Sequence, residues 1–434
     1  METRTLTGMG DVPGTLEAVW KIEASRLISA IARVTGDISI AEELAQDALV
    51  LAFERWPHEG IPENPAAWLM IAAKRRAIDG LRRGRMIAQK HEEIARDIEW
   101  QQQRLGEAMD QALDQVIDAD VLRLIFTACH PVLPVEGRVA LTLRLLGGLS
   151  TAETARALLV TEKTMGQRIS RAKKALSNAG VPFETPRGDE LKRRLKSVLS
   201  VVYLIFNEGY TATSGAEWMR SELSGEALRL GWLLAQLLPD ESEVHALLAL
   251  MELNASRAAA RVGSDGEPVL LPDQDRSLWD RAQVQRGLAA LERAERLGGG
   301  AGNYALQAAI VACHMRARTA DETDWERIVF LYDNLLDVNP SPVVGLNRAV
   351  AVGMAYGPAA GLNALDSIAT RLSDSALASY HLFPSVRGDL LMKLGRFAEA
   401  GKEIQCAIDL TQNRREQMLL ERRLKETEEA APST

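Results

Sequence analysis

Three cysteines in 434 residues, Cys129, Cys313 and Cys406, share no C-x-x-C spacing, which excludes a disulfide scaffold and suits a reducing compartment. Aromatic residues make up only 5% of the chain, and strand-like alternation is absent beyond residue 190. With Ala, Leu and Arg recurring throughout, that shortage excludes sandwiches and barrels and leaves an all-α protein. No basic stretch leads into an apolar one near residue 1, so no secretory signal is expected. The longest dense apolar run, Val198 to Phe206, is less than half of the roughly 20 residues a membrane span needs. A cytoplasmic protein without membrane attachment is therefore expected. His245, His314 and His381 lack a second histidine or cysteine at metal spacing in their own helices, so no metal is assigned. No nucleophile elbow or glycine-rich phosphate loop occurs, so no catalytic residue, no cofactor and no enzyme are expected.

What is present is apolar substance for several cores: 47% of residues are hydrophobic, and at about 150 residues per domain the length suits roughly three domains. The net charge of −8 argues against a nucleic-acid partner, yet it is unevenly spread. Residues 1–180 hold 23 basic and 24 acidic side chains, leaving −7 to the remainder. Within the first part, Trp68 to Arg85 carries six basic residues and one acid, and Glu162 to Leu176 carries five and one. Two cationic helices thus stand out from a near-neutral background.

Residues 15–56 read as two helices separated by Thr35-Gly36-Asp37, the first with Val19, Ile22, Leu27, Ile31 and Val34 inward, the second from about Ser39 to Trp56. Pro57, Gly60, Pro62 and Pro65 break the chain, and Asn64-Pro65 supplies a cap and a first-turn proline for a third, cationic helix. A polar linker follows over 89–112, and a second compact unit over 113–180. Pro182, Pro186 and Gly188 mark the next boundary. Late in the chain, Leu394-Gly395-Arg396-Phe397-Ala398-Glu399-Ala400 with Ile404 and Ala407 has the spacing of a tetratricopeptide second helix, and Gly357-Pro358 lies 38 residues earlier. A helical-repeat array or an irregular bundle fits 181–434.

The window from Leu149 to Leu176 carries the most information. Ser150 and Glu153 make a capping box for a short helix with Ala155 and Leu158 inward. Leu159-Val160-Thr161 is a tight turn, and Thr161 caps a second helix with Met165 and Ile169 inward. Its other side offers Lys163, Thr164, Gln167, Arg168, Arg171 and Lys174. This is the helix-turn-helix layout, in which early residues of the second helix meet base edges and later cations meet phosphates.

These residues carry a family resemblance. Gly148-Leu149-Ser150 through Arg171-Ala172-Lys173-Lys174-Ala175-Leu176 resembles region 4 of extracytoplasmic-function sigma factors, promoter-specificity subunits of RNA polymerase. Gly36-Asp37 with Ala41-Glu42-Glu43-Leu44-Ala45-Gln46-Asp47 resembles region 2.2, and Ala67-Trp68-Leu69 through Asp79, then Leu81-Arg82-Arg83, resembles regions 2.3 and 2.4. Arg75 stands where the family commonly has Asn. Phe206-Asn207-Glu208-Gly209-Tyr210, Leu247 to Met251, Asp273-Gln274-Asp275-Arg276 and Leu346-Asn347-Arg348 resemble the subgroup with a long tetratricopeptide-like extension.

The resemblance implies two small helical sigma domains, region 2 over 1–88 and region 4 over 113–180, with core RNA polymerase and promoter DNA as partners. It assigns Asp37, Glu42, Glu43, Gln46 and Asp47 to the polymerase clamp, and the cationic helix with Lys74, Arg75, Asp79, Arg82 and Arg83 to the −10 element. The face from Lys163 to Lys174 is assigned to the −35 element. Trp68 is either a stacking platform for bases or a core residue. Asn207, Glu208, Tyr210, Asp273, Gln274, Asp275 and Arg276 serve either capping and packing or a regulatory interdomain contact. Gly209 is expected in the left-handed conformation at a helix end. The fused extension allows internal control, through an intramolecular contact with regions 2 and 4. A helix-turn-helix regulator with a partner-binding repeat array is the alternative reading.

Overall fold

The computed structural model describes residues 11–83, 107–158, 160–210, 220–263, 269–371, 380–411 and 414–430. Among them the regular structure is helical: α1 (Val12–Thr35), α2 (Ile38–Glu59), α3 (Pro65–Arg83), α4 (Glu107–Ala128), α5 (Val135–Leu145), α6 (Thr151–Ala157), α7 (Glu162–Asn178), α8 (Gly188–Tyr210) and α9 (Ser221–Leu237). They continue as α10 (Ser242–Ala255), α11 (Arg281–Arg296), α12 (Asn303–Arg316), α13 (Trp325–Val338), α14 (Pro342–Tyr356), α15 (Pro358–Arg371), α16 (Leu382–Lys393), α17 (Phe397–Leu410) and α18 (Arg414–Ala430). The chain forms two compact units, divided between Leu204 and Ile205.

In the first unit the expected punctuation forms. Gly36 turns the chain with φ 72° after α1, and the Asp37 carboxylate accepts from the amides of Ser39 and Ile40 to start α2. Asn64 Oδ1 accepts from Ala67 N at 3.0 Å to start α3. Pro57 lies inside the last turn of α2 instead of ending it, so that helix runs three residues past Trp56. On α1 the inward stripe is Leu16, Leu27, Ile28, Ile31 and Val34, whereas Ile22, expected inside, is 68% exposed. It sits on the side of α1 nearly opposite the stripe that α2, α3 and α4 cover. Trp56 is fully buried, and Trp68 meets it edge to face at 5.5 Å. The packing reading of Trp68 is the one this geometry favours.

The expected linker over 89–112 is helical from Glu107 onward; residues 84–106, and with them Arg85, lie outside the described residues. The expected boundary at 180/181 differs too, because α8 is anchored in the first unit. Arg194 donates to Phe126 O at 2.8 Å, and the Ser197 hydroxyl donates to Cys129 O at 2.7 Å. These side chains satisfy carbonyls that the end of α4 leaves open. Cys129 is wholly buried there, and desolvation pushes its thiol up to about 11 despite contact with Thr142 Oγ1. It is a packing residue.

In the second unit each helix packs on its successor from α9 to α18. The apolar relay passes through Leu306 and Ile310 to Ile328 and Leu335, then Val344, Leu346, Leu365 and Leu390, and ends at Ile404 and Leu420. Gly357 and Gly395 turn the hairpins with φ 94° and 72°, and Ala400, Ile404 and Ala407 are buried as their spacing predicts. Gly209 departs from expectation. It lies inside α8 with no positive φ; a Cβ there would sit 2.3 Å from Ser224 N, so its role is close approach of backbones.

His314 is buried against Trp325 in this unit, and desolvation, with Arg257 and Arg276 adding to it, lowers its pKa to about 4. The unfolded chain then binds the proton that the folded chain refuses. Stability contributed by the neutral ring is present above pH 6.5 and is lost as pH falls toward 4. Between pH 6.5 and 5 the second unit should lose about 2 kcal/mol from this group. Urea unfolding should show the loss in the native chain and show it largely removed in His314→Phe.

Candidate nucleic-acid interface

The helix-turn-helix forms by the chemistry its sequence announces. Ser150 Oγ accepts from Glu153 N at 3.0 Å while Glu153 Oε2 accepts from Ser150 N at 2.7 Å, closing the capping box. Those bonds hold the Glu153 carboxyl below the usual carboxylate range. Ala155, Met165 and Ile169 are buried between the helices. Thr161 Oγ1 accepts from Thr164 N at 3.2 Å to start α7; Leu159 in the turn lies outside the described residues. Gly137 lets α5 approach, since a Cβ there would meet Ala172 Cβ at 3.3 Å.

On α7 the structure brings Lys163, Gln167, Arg171 and Lys174 onto the exposed side, with Thr164 and Arg168 half-buried beside them. Four cations and one amide on a solvent-facing helix suit phosphate contacts flanking a base contact. Lys173 faces elsewhere. It shares its side with Gly166, Ile169 and Ser170, toward α2.

The residues of α2 and α3 are sorted less simply than their sequence suggests. Glu43 and Asp47 are exposed, one turn apart, and Asp47 pairs with Arg76 of α3 at 2.8 Å. Asp37 is spent as the cap of α2, and Gln46 donates to Glu42 at 2.9 Å. On α3, Arg75 and Asp79 are exposed, whereas Lys74 is half-buried near Arg33 and Asp120. Burial lowers the Lys74 pKa, with Arg33 adding to the effect. Arg82 and Arg83 occupy the last turn of α3, and their side chains lie outside the described residues.

Glu42 is the departure with the largest consequence. It is 4% exposed and accepts from Arg144 Nε of α5 at 2.7 Å, with Lys173 Nζ of α7 against its second oxygen. Arg144 also donates to Leu149 O at 3.0 Å, at the entry to the capping box. Nearby, Trp20 Nε1 of α1 donates to Gly148 O at 3.0 Å, where φ is 67°, and Arg33 pairs with the buried Asp120 at 3.1 Å. Arg144 and Lys173 were missed from sequence. Helical period alone puts Lys173 on the inward side of α7, but nothing local names its partner 131 positions earlier.

The singled-out residues of the second unit act mainly on their own neighbours. Tyr210 is gripped by Arg257, which donates to its hydroxyl at 2.7 Å, and by Arg261, whose guanidinium lies 3.6 Å from the ring centroid. Glu208 pairs with Arg220, and Asn207 is half-buried. Arg276 donates to His314 O and Ala317 O, each at 2.7 Å, closing the end of α12. Gln274 is buried and donates to Val269 O at 3.1 Å; Asp275 caps a 3-10 turn through Ser277 N; Asp273 is exposed. Capping of α11 itself falls to Asp280. The buried Arg257 and Arg261 were not foreseen.

An exposed cationic recognition helix in a helix-turn-helix, preceded by a three-helix unit with acidic and basic faces, defines a promoter-binding protein of the transcription machinery. The chain matches sigma-70 region 2 over residues 21–86 and sigma-70 region 4 over 123–176, and it belongs to the sigma-70 family as an RNA polymerase sigma factor for promoter recognition. Residues 194–295 match a family of unknown function (DUF6596). An uncharacterized protein of Rhizobium meliloti (strain 1021) is 42% identical over 387 residues, 89% of each chain. No protein of solved structure matches. Among the described residues no helix is long and apolar enough to cross a membrane.

Ser150→Ala removes the accepting hydroxyl of the capping box and should cost about 1 kcal/mol of stability in the first unit. Denaturant unfolding followed in that unit checks the loss; an unchanged midpoint would mean the cap is not holding α6.

Proposed function

We propose that this sigma factor divides promoter recognition between its two sigma regions, 113–180 on the −35 element and 1–88 on the −10 element and core polymerase. The exposed side of α7 carries the reading. Gln167 suits a base contact, and Lys163, Arg168, Arg171 and Lys174 suit the backbone around it, with Thr164 beside them. On α3, Arg75 and Asp79, with Lys74, Arg82 and Arg83, track the melted −10 strand. Glu43 and Asp47 on α2, with Asp37, Glu42 and Gln46 behind them, meet the polymerase clamp. The second unit, from Ile205 onward, forms a tetratricopeptide-like module that controls the activity from within the same chain, through Asn207 to Tyr210 and Asp273 to Arg276. The protein works in the cytoplasm as an initiation factor and not as an enzyme.

The test is run-off transcription with core polymerase on genomic DNA. Specific initiation by the full chain supports the reading, and its absence under every condition overturns it. Glu43→Arg with Asp47→Arg should abolish initiation and spare DNA binding; a regulator using only the helix-turn-helix would be unharmed. Arg171→Ala or Lys174→Ala should weaken binding to every promoter and reduce the log–log salt slope by about 1. Gln167→Ala should instead change which promoters are preferred, measured by binding across a randomised −35 library.

A further inference from the structure

Three arginines gather inside the second unit. Arg257 donates to the Tyr210 hydroxyl at 2.7 Å and to Asn254 Oδ1 at 2.8 Å, while Arg261 stacks on the Tyr210 ring. Arg276 lies 4.7 Å from the Trp279 ring centroid and donates to the carbonyls of His314 and Ala317. Gln274 joins the group through Val269, whose carbonyl takes its amide and whose own amide donates to Arg261 O at 2.9 Å. The charges feel one another. Burial lowers the pKa of Arg261 and of Arg276, and repulsion from Arg257 adds to it in both cases.

No carboxylate forms an ion pair with Arg257 or Arg276 among the described residues. The acids nearest in sequence, Asp273, Asp275 and Asp280, are exposed, and the last two are occupied as caps on Ser277 N and Gln283 N. Glu322 attracts Arg276 from an exposed position without touching it. A helix end supplies only about half a negative charge, so the end of α12 offsets part of Arg276, and Arg257 has no such offset. A desolvated cation without a counter-ion is costly, which makes this group unlike the paired arginines elsewhere in the unit. Three polar atoms in the same group also lack partners: Arg257 Nε, Trp279 Nε1 and Gln274 Oε1. Their residues are 9%, 3% and 7% exposed. Two of these atoms are donors in want of an acceptor, and the third is an acceptor in want of a donor.

We propose that this cluster is a receptor site for a small oxyanion that also bears a hydroxyl, the chemistry shared by hydrogen phosphate and α-hydroxycarboxylates. Its oxygens take the free Arg257 and Trp279 donors, and its hydroxyl donates to Gln274 Oε1. Planar guanidinium groups suit such an anion because they offer several donors in one fixed fork. Arg276 is half-buried and Arg257 buried, so the anion meets Arg276 first and loses its water against Arg257. Binding stands apart from the promoter-recognition reading; any effect of the anion on initiation rests on it.

The experiment is titration calorimetry on the full chain at constant ionic strength in chloride, with inorganic phosphate and, separately, with glycolate. Saturable one-to-one binding of either supports the site and names its class, and binding of neither up to about 10 mM would overturn the proposal. Sulfate and acetate, which lack the hydroxyl, should bind about tenfold more weakly than phosphate and glycolate, and equal binding would overturn the role given to Gln274. Arg257→Gln and Arg276→Gln should each weaken the anion about tenfold or more, and unchanged affinity in both would place the anion elsewhere. Because Arg257 also holds Tyr210, a second arm leaves the chain unmutated. With 5-fluorotryptophan at its eight tryptophans, the Trp279 fluorine resonance, assigned by its loss in Trp279→Phe, should shift on adding the anion while that of Trp56 stays. An unmoved Trp279 resonance would overturn the proposal even if the arginine variants did not fold. Failure of the native chain to initiate, with anion binding intact, would instead count against the promoter-recognition reading alone.

Discussion

One buried carboxylate organises the first unit. Glu42 comes from a helix whose neighbours Glu43 and Asp47 face solvent, yet it sits at the meeting point of α2, α5 and α7 with a cation on each oxygen. Such a triad contributes little net stability compared with an apolar core of the same shape, but leaving one charge unpaired costs about 3–5 kcal/mol. It therefore acts as a register pin. With Glu42 in place, Arg144 reaches Leu149 O, the capping box opens α6 at a set angle, and α7 presents Lys163, Gln167 and Arg171 outward while Lys173 turns in.

The second unit uses arginine differently. Arg257 and Arg261 bracket Tyr210 at the end of α8, and Arg276 closes the carbonyl end of α12 beside His314. Planar guanidinium groups suit these tasks because they donate in a fixed fork and stack on rings while staying charged. The local positive potential and burial together keep the His314 ring neutral. The polar motifs of this unit thus hold its own helices in order before any partner is considered.

Much of this was legible beforehand for local reasons. Caps at Asn64, Ser150 and Thr161 depend on residues within three positions, and each formed as read, whereas Asp37, read only as part of an acidic face, also caps α2. The buried stripe of Ala400, Ile404 and Ala407 follows from helical period. Errors arose where a neighbour distant in sequence decided the outcome. Ile22 faces solvent on the side of α1 away from the described helices packed on it, and Gly209 continues a helix because α9 needs the space its missing Cβ leaves.

Sequence alone determined the helical class, the helix-turn-helix, the sorting of charge into two cationic helices, and the sigma family. Those properties depend on spacing and on residues a turn or two apart. Tertiary structure alone decided which charges remain available. Glu42 and Lys173 carry the same formal charges as Glu43 and Lys174, but helix packing sets the first two against each other and leaves the second two exposed, while Lys74 is half-buried beside an exposed Arg75. A charge in water is an invitation to polymerase or DNA, whereas a charge with its partner in a low-dielectric contact is already engaged, and that distinction depends on contacts about a hundred residues apart.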